Sequence, residues 1–298
     1  MVLSYPVFFL AYAAAMVVAT MVGLLLLVGW KDMWWRKSLI SLKYNAVYVM
    51  LIAALPLIML LQDLVVRHLL GPGMISREIQ YTNWIFSLSG GVVTLLQDRL
   101  NYSILTSFFI VMYAWVFTFI VYFAPLLLLV RDDRLMLRKY AIAIILTYII
   151  IMPFYALFPV SVTSSVSDAQ MAPLLYADPH WGRLVTSIDP LDNDFPSGHV
   201  SLTVTTFLVF ASGGIVYRKF AYFLGAATLS IVFAVLYLGI HWPADVFAGF
   251  LVAIAATVAA RTDRIQMTID RWVRYVSERI LKIRPIELPE KEAKPTGP

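Results

Sequence analysis

The chain has 298 residues, of which 61% are hydrophobic and only 14% are charged, and its formal net charge is +5. Soluble domains are about 45–50% apolar and about 25% charged, so this composition indicates an integral membrane protein. Cysteine is absent, which excludes disulfides, thiol catalysis and cysteine metal ligands.

Apolar runs long enough to cross a bilayer follow one another along the chain, because a hydrocarbon core of about 30 Å needs about 20 apolar residues. The first run has no basic region before it and is too long for a signal peptide, so we expect a retained helix. The predicted fold is an all-α polytopic membrane bundle, divided into that helix with a cytoplasmic loop (1–44), a six-helix core (45–261) and a C-terminal segment (262–298). The predicted spans are 5–29, 45–62, 103–130, 140–160, 199–217, 220–240 and 244–260.

The positions of Lys and Arg predict the orientation of these spans. Basic clusters lie at 31–43, 131–139 and 218–219 and from Arg261 onward, and alternate crossing places all four on one side. That side is cytoplasmic by the positive-inside rule, which accounts for the net charge without a nucleic-acid partner. We therefore expect a multi-pass protein of the cell membrane. The extracytoplasmic segments would be the N-terminus, 63–102, 161–198 and the turn around His241.

Two segments outside the spans have a recognisable character. Residues 83–96 are too short and too interrupted by glycine to span, so they predict an interfacial or re-entrant element within 63–102. It would be a helix packed over the outer ends of the bundle, or a lid for lipid entry. Apolar residues at helical spacing over 265–283 alternate with arginines and predict a helix on the anionic inner leaflet, followed by a disordered tail.

The segment "DNDFPSGH" (192–199) places polar residues directly before a span. Asp194 is a candidate helix cap, and Pro196 suits the first helical turn. The backbone N–H groups of Ser197, Gly198 and His199 would then point outward and form a site for a phosphate, which glycine allows to approach closely. The alternative is an ordinary capped helix whose histidine lies in the headgroup layer.

A second histidine lies at the next outer boundary, in "YLGIHWPADVFAG" (237–249). His241 and Asp245 are at positions i and i+4, so the carboxylate can reach the imidazole and fix its tautomer. Both histidines lie on the same face at the starts of inward-running helices. Ionisable residues at such positions beside an anion site indicate function.

Together, "PSGH" and "YLGIHWPADVFAG" resemble the second and third signature motifs of the type-2 phosphatidic acid phosphatase superfamily of membrane phosphoesterases. The resemblance implies that His241 is a nucleophile that forms a phosphohistidine and that Asp245 orients it. It further implies that His199 is the general acid, and that no metal or other cofactor is needed. Imidazole chemistry agrees, since a carboxylate can stabilise the cation formed on attack and a second imidazole can protonate the leaving oxygen.

The phosphate-holding cations of that superfamily are missing here. Its first motif, Lys, six residues, then Arg-Pro, is absent, and Ala234 and Val235 stand where Ser-Arg precedes the third motif. The segment "FYALFPVSV" (154–162) is instead similar to the inositol phosphorylceramide synthase branch, whose members transfer phosphorylated headgroups. We favour Arg183 as the phosphate-binding cation, because its loop leads into the "PSGH" helix. The other outer candidates are Arg67, Arg77 and Arg99.

The sequence thus predicts an enzyme that cleaves a phosphate ester of a membrane lipid. We favour transfer of a phosphoryl headgroup to a hydroxylated acceptor, since few cations suit a singly charged diester, and lipid phosphate hydrolysis is the alternative. A lipid transporter would need charged residues in mid-span, and spans two to seven carry almost none. A metalloenzyme with His199, His241 and Asp245 as ligands is a further alternative.

Overall fold

The computed structural model describes residues 4–30, 35–100, 102–187 and 191–283, although several side chains between 35 and 90 lie outside the description. Within these ranges the chain forms an all-α membrane bundle without β-strands, which confirms the predicted fold class. The helices are α1 (Tyr5–Leu27), α2 (Trp35–Leu100), α3 (Ser103–Ile110), α4 (Phe117–Val130), α5 (Arg134–Leu157), α6 (Trp181–Thr186), α7 (Gly198–Ala211), α8 (Arg218–Tyr237), α9 (Pro243–Ala259) and α10 (Asp263–Tyr275).

Five helical stretches in the described residues are long and apolar enough to cross a membrane: Tyr5–Leu27, Asn45–Gln62, Ser103–Val130, Arg134–Leu157 and Ile215–Tyr237. Pro243–Ala259 with Asp263–Ile280 makes a sixth if that pair, bent by 79°, is counted as one span. The predicted fifth span, 199–217, is observed as a shorter helix, since α7 has only 14 residues. At 1.5 Å per residue it is about 21 Å long, less than the hydrocarbon thickness.

The short helix α7 lies inside the bundle. It packs against α4, α5, α8 and α9, and its polar residues Ser201, Thr203, Thr205 and Thr206 are all buried. Hydroxyls of this kind return hydrogen bonds to the preceding helical turn, as Thr206 does to the carbonyl of Leu202 at 2.7 Å. Surrounded by protein, α7 does not need the length of a lipid-facing span.

The segment 63–102 is helical up to Leu100 instead of forming an irregular outer loop, and the predicted cytoplasmic loop 31–43 is also helical from Trp35 onward. One helix, α2, covers 66 residues, about 99 Å at the standard rise. A proline inside a helix removes one hydrogen bond and kinks the axis, so Pro72 does not have to end it.

The C-terminal third of α2 packs over the outer connections, as one of the two alternatives for 83–96 predicted. Thr94 donates to the carbonyl of Ala169 at 2.9 Å, and Gln97 donates to that of Tyr237 at 2.8 Å. The ring of Phe86 lies 5.6 Å from that of Trp242. This segment therefore supports the turn that carries His241.

Helix α10 is held against the end of the bundle that carries Tyr48 and Arg138. Asp270 accepts from the Tyr48 hydroxyl at 2.5 Å and from Arg138 Nε at 2.8 Å. Ile265 and Ile269 pack against the protein core, whereas Trp272 is half exposed. The apolar face predicted to lie on lipid is thus partly covered by protein, and the predicted tail 287–298 lies outside the described residues.

Candidate active site

A short segment, residues 160–164, joins the two histidine-bearing stretches; it starts with a β-bridge at Val160 and enters a 3-10 turn at Thr163. Its backbone exchanges hydrogen bonds with 192–194, from Val160 N to Asp192 O at 2.9 Å and from Asp194 N to Val160 O at 3.2 Å. On the other side, Thr163 N donates to Ile240 O at 2.9 Å. These ladder-like bonds hold Asp194 and His241 side by side, although their positions lie far apart in the sequence.

The start of α7 differs from the prediction in its cap. Ser197, not Asp194, is the N-cap, and its hydroxyl accepts from Val200 N at 3.3 Å. The N–H of Ser197 donates to Asp245 O at 3.1 Å, so it is committed to the protein. The N–H groups of Gly198 and His199 have no acceptor among the described residues, as expected for the first turn of a helix. They remain the donors available to an anion.

Gly198 is required at this point by a close approach. A Cβ atom there would lie 2.7 Å from Tyr155 Oη, the hydroxyl that donates to Pro196 O at 3.1 Å. Tyr155 belongs to the "FYALFPVSV" segment at the outer end of α5, which is thereby packed directly against the helix start. The absence of a side chain at 198 lets these two parts of the site meet.

His241 faces two carboxylates through the same nitrogen. Its Nδ1 lies 2.9 Å from Asp194 Oδ1 and 3.6 Å from Asp245 Oδ2, and all three side chains are buried. The closer contact is an ion pair whose atoms are not aligned as a hydrogen bond. Asp245 Oδ2 also accepts from Trp242 N at 2.8 Å and so caps α9. The nearer partner of His241 is therefore Asp194, which the sequence suggested only as a helix cap.

Charge and burial compete at this cluster. Burial alone would lower the pKa of His241, but the nearby Asp194 and Asp245 charges outweigh it and raise that pKa to about 10. Burial raises the pKa of Asp194 above its ordinary range, and the attraction of His241 offsets part of that rise. One oxygen of each carboxylate, Asp194 Oδ2 and Asp245 Oδ1, has no hydrogen-bond partner among the described residues. The two carboxylates therefore favour positive charge on the ring of His241.

His199 lies across a small pocket from His241. Their ring centroids are 6.1 Å apart. The pocket contains about 260 Å³ of empty space, part of it open to solvent, and no Lys or Arg of the described chain lines it. Besides the two histidines, the lining residues are Tyr155, Val162, Tyr176, Asn193, Asp194 and Ile240.

The favoured arginine does not reach this pocket. Arg183 is exposed on α6, and its guanidinium carbon lies 4.3 Å from the centre of the Tyr5 ring at the start of α1. Arg77 and Arg99 are also exposed and are absent from the lining, while the side chain of Arg67 lies outside the description. The structure thus brings together His199, His241, Asp245 and the "PSGH" helix start, and leaves Arg183 apart.

The residues that could bind a divalent metal differ from the ligand set proposed from the sequence. Asp194, His241 and Asp245 offer ligand atoms within 4.8 Å of one another. His199 is not part of this group. The same three residues are an imidazole flanked by carboxylates, the arrangement that activates a histidine without a metal.

Sequence reasoning missed Asp194 as a site residue and also missed Tyr176 and Asn193. The signal for Asp194 was available, since an acidic residue lies directly before "FPSGH" at a membrane boundary. Tyr155 lies inside a segment that the sequence singled out for its similarity, without a role for the side chain. The contributions of Tyr176 and Asn193 arise from the tertiary fold.

The site thus places a buried histidine–carboxylate cluster opposite a second histidine inside a polytopic helical bundle. A family model described as the PAP2 superfamily matches residues 154–266. The match is less than half of the chain, but it includes Asp194, His199, His241 and Asp245, and it supports the resemblance to that superfamily. No curated protein and no solved structure matches the chain.

Proposed function

We propose that this protein is a membrane phosphoesterase of the PAP2 type, which cleaves a phosphate ester of a membrane lipid through a phosphohistidine on His241. The observation that carries the proposal is the contact of buried His241 with Asp194 and Asp245, across a pocket from His199. The match of residues 154–266 to the PAP2 superfamily supports the reaction class. By the distribution of basic residues, the site opens to the extracytoplasmic side.

In the first half-reaction, Nε2 of His241 attacks phosphorus, the bond from phosphorus to the leaving oxygen breaks, and His199 gives that oxygen a proton. His241 must lack a proton on Nε2 when it attacks, while Nδ1 keeps its proton toward the carboxylates. The phosphorylated ring is a cation, which Asp194 and Asp245 stabilise. In the second half-reaction, an acceptor hydroxyl or water gives its proton to His199 and attacks phosphorus, and His241 is released.

Charge favours a diester donor and transfer of its headgroup, as in the inositol phosphorylceramide synthase branch. The lining contains no described Lys or Arg and includes a carboxylate. The positive groups that can face a phosphate are the N–H donors of Gly198 and His199 and the ring of His241. A dianionic monoester needs more compensation than these supply, and a singly charged diester needs less. Hydrolysis of lipid phosphates is the competing outcome.

The test uses the purified full-length protein in lipid bilayers, with phosphatidylinositol or phosphatidic acid as donor and ceramide or diacylglycerol as acceptor. We expect consumption of the diester to accelerate with acceptor and to yield a transferred product detected by mass spectrometry. His241→Ala should abolish formation of the transferred product. His180→Ala, a change at an outer histidine away from the pocket, should not. Rapid phosphate release from phosphatidic acid without an acceptor effect would establish the phosphatase instead.

The intermediate has its own test, independent of which lipid is preferred. Brief reaction with a donor that carries radiolabelled phosphate should label the protein with a bond that is stable to alkali and labile to acid, as expected for a phosphoramidate. The label should disappear in His241→Ala and persist in His180→Ala. If the turnover-competent protein is never labelled and His241→Ala is active, the phosphohistidine mechanism is wrong.

A further inference from the structure

Two aromatic side chains from outside the PAP2-matched segment contact His199. The ring of Tyr113 lies 4.2 Å from the imidazole centroid at an interplanar angle of 24°, and the ring of Phe117 lies 4.1 Å from it at 41°. Both residues belong to the span between Ser103 and Val130, which precedes residues 154–266. Neither the motifs nor the family match assigns them a role.

The backbone that carries these rings is irregular at this point. Residues Val111–Val116 form a π-helical turn between α3 and α4, and Phe117 N donates to Met112 O, five residues back. Such turns are rare and occur frequently at functional sites, because they shift side chains out of the regular helical register. Here the turn carries Tyr113, and the first α-helical residue after it is Phe117.

We propose that Tyr113 and Phe117 are positioning residues for His199, holding its ring so that a nitrogen is directed at the leaving oxygen. This inference rests on the proposed general-acid role of His199. Stacking occupies a face of the imidazole and leaves its nitrogen-bearing edge available to the pocket. Tyr113 is only 1% exposed, so the support that it gives is itself fixed by the surrounding core.

The expected magnitude follows from what a general acid contributes. Proton donation accelerates a reaction by about a hundredfold to ten-thousandfold, and a misplacement of about 1 Å can cost about a hundredfold. A loosened His199 ring should therefore slow alkoxide departure by about tenfold to a hundredfold. Departure of a p-nitrophenolate, which needs little protonation, should hardly change.

The test compares two substrates of the same purified protein: a dialkyl phospholipid diester and its p-nitrophenyl analogue. Tyr113→Leu and Phe117→Leu should lose kcat on the alkyl substrate and largely keep it on the p-nitrophenyl substrate. Tyr113→Phe, which preserves the ring, should behave as wild type. Phe119→Leu is the matched control, since Phe119 is a buried aromatic residue on the same span that stacks with Phe123 and not with His199.

The outcomes separate this inference from the function on which it rests. One outcome is that His199→Ala loses kcat selectively on the alkyl substrate while Tyr113→Leu and Phe117→Leu lose kcat equally on both substrates. In that case the two rings only contribute to packing, and the inference fails. If His199→Ala itself shows no selectivity, the general-acid assignment fails first. The thermal unfolding midpoints of Tyr113→Leu and Phe117→Leu should lie close to that of Phe119→Leu. A loss of kcat is then not caused by a loss of fold.

Discussion

Replacing Asp194 by asparagine preserves the size of the side chain and removes the charge closest to His241. At 2.9 Å, with an effective dielectric constant of about 20, that charge interacts with an imidazolium by about 5–6 kcal/mol, or about four pH units. In the folded protein His241 has a pKa raised to about 10 and loses its proton only as the pH rises through that value. Without Asp194, it should lose the proton at a clearly lower pH.

The sign of the effect on activity follows from the need for an unprotonated Nε2. In the wild type, turnover should rise with pH towards the raised pKa of His241. In Asp194→Asn this rise should occur at lower pH, while the maximal rate falls, since the phosphorylated ring loses its nearest negative charge. By analogy with the loss of an orienting carboxylate elsewhere, the fall should be about a hundredfold to ten-thousandfold.

The assay is the pH profile of donor consumption by the purified protein, with Asp245→Asn and Asp168→Asn measured in parallel. Asp245 is farther from Nδ1, at 3.6 Å, so its loss should move the profile less. Asp168 is exposed on an outer loop, and its variant should match wild type. If Asp245→Asn moves the profile and Asp194→Asn does not, the reasoning from the two distances is refuted.

The other predictions test packing and orientation. Gly198→Ala should lose most activity, because its Cβ meets Tyr155 Oη at 2.7 Å, and adding Tyr155→Phe should restore part of it; no restoration would contradict the contact. Cysteine at Ser167 should react with an impermeant thiol reagent from outside intact cells, and cysteine at Thr268, an exposed position of α10, should not; the reverse pattern would invert the topology. Asp270→Asn should destabilise the protein by about 1–3 kcal/mol in thermal unfolding with turnover intact, since it weakens only the inner anchor of α10.

The parts of the site that could be predicted from the sequence are those formed by residues close together along the chain. Histidine at the start of an apolar run, with Pro and Gly before it, predicts a helix that begins at a membrane boundary, and α7 begins at Gly198. His241 and Asp245 are close along the chain, so their contact needs only the local turn that leads into α9. The apolar runs likewise predict five of the spans to within a few residues at most boundaries.

The features that the sequence did not predict depend on contacts between segments that are distant along the chain. Asp194 reaches His241 only because residues 160–164 hydrogen-bond to both of their stretches. Tyr113 and Phe117 reach His199 from another span, and nothing in a run of apolar residues distinguishes a ring that supports an acid from one that faces lipid. The length of α2 was missed because residues 83–96 alone are too short and too interrupted by glycine to predict a span. In the structure, Thr94 and Gln97 of the same helix donate to the carbonyls of Ala169 and Ala172.

The carboxylates explain why a site so poor in cations is still consistent with phosphate chemistry. Asp194 and Asp245 are placed behind His241, on its Nδ1 side, while the substrate must approach Nε2 on the other side of the ring. Their negative charge stabilises the positive charge that the ring gains when it is phosphorylated, although Asp194 also lines the pocket. In the proposed mechanism, the phosphate would meet the helix N–H donors of Gly198 and His199 instead of arginines. Such a site discriminates by charge, because each additional negative charge on the substrate adds a repulsion that no described Lys or Arg offsets.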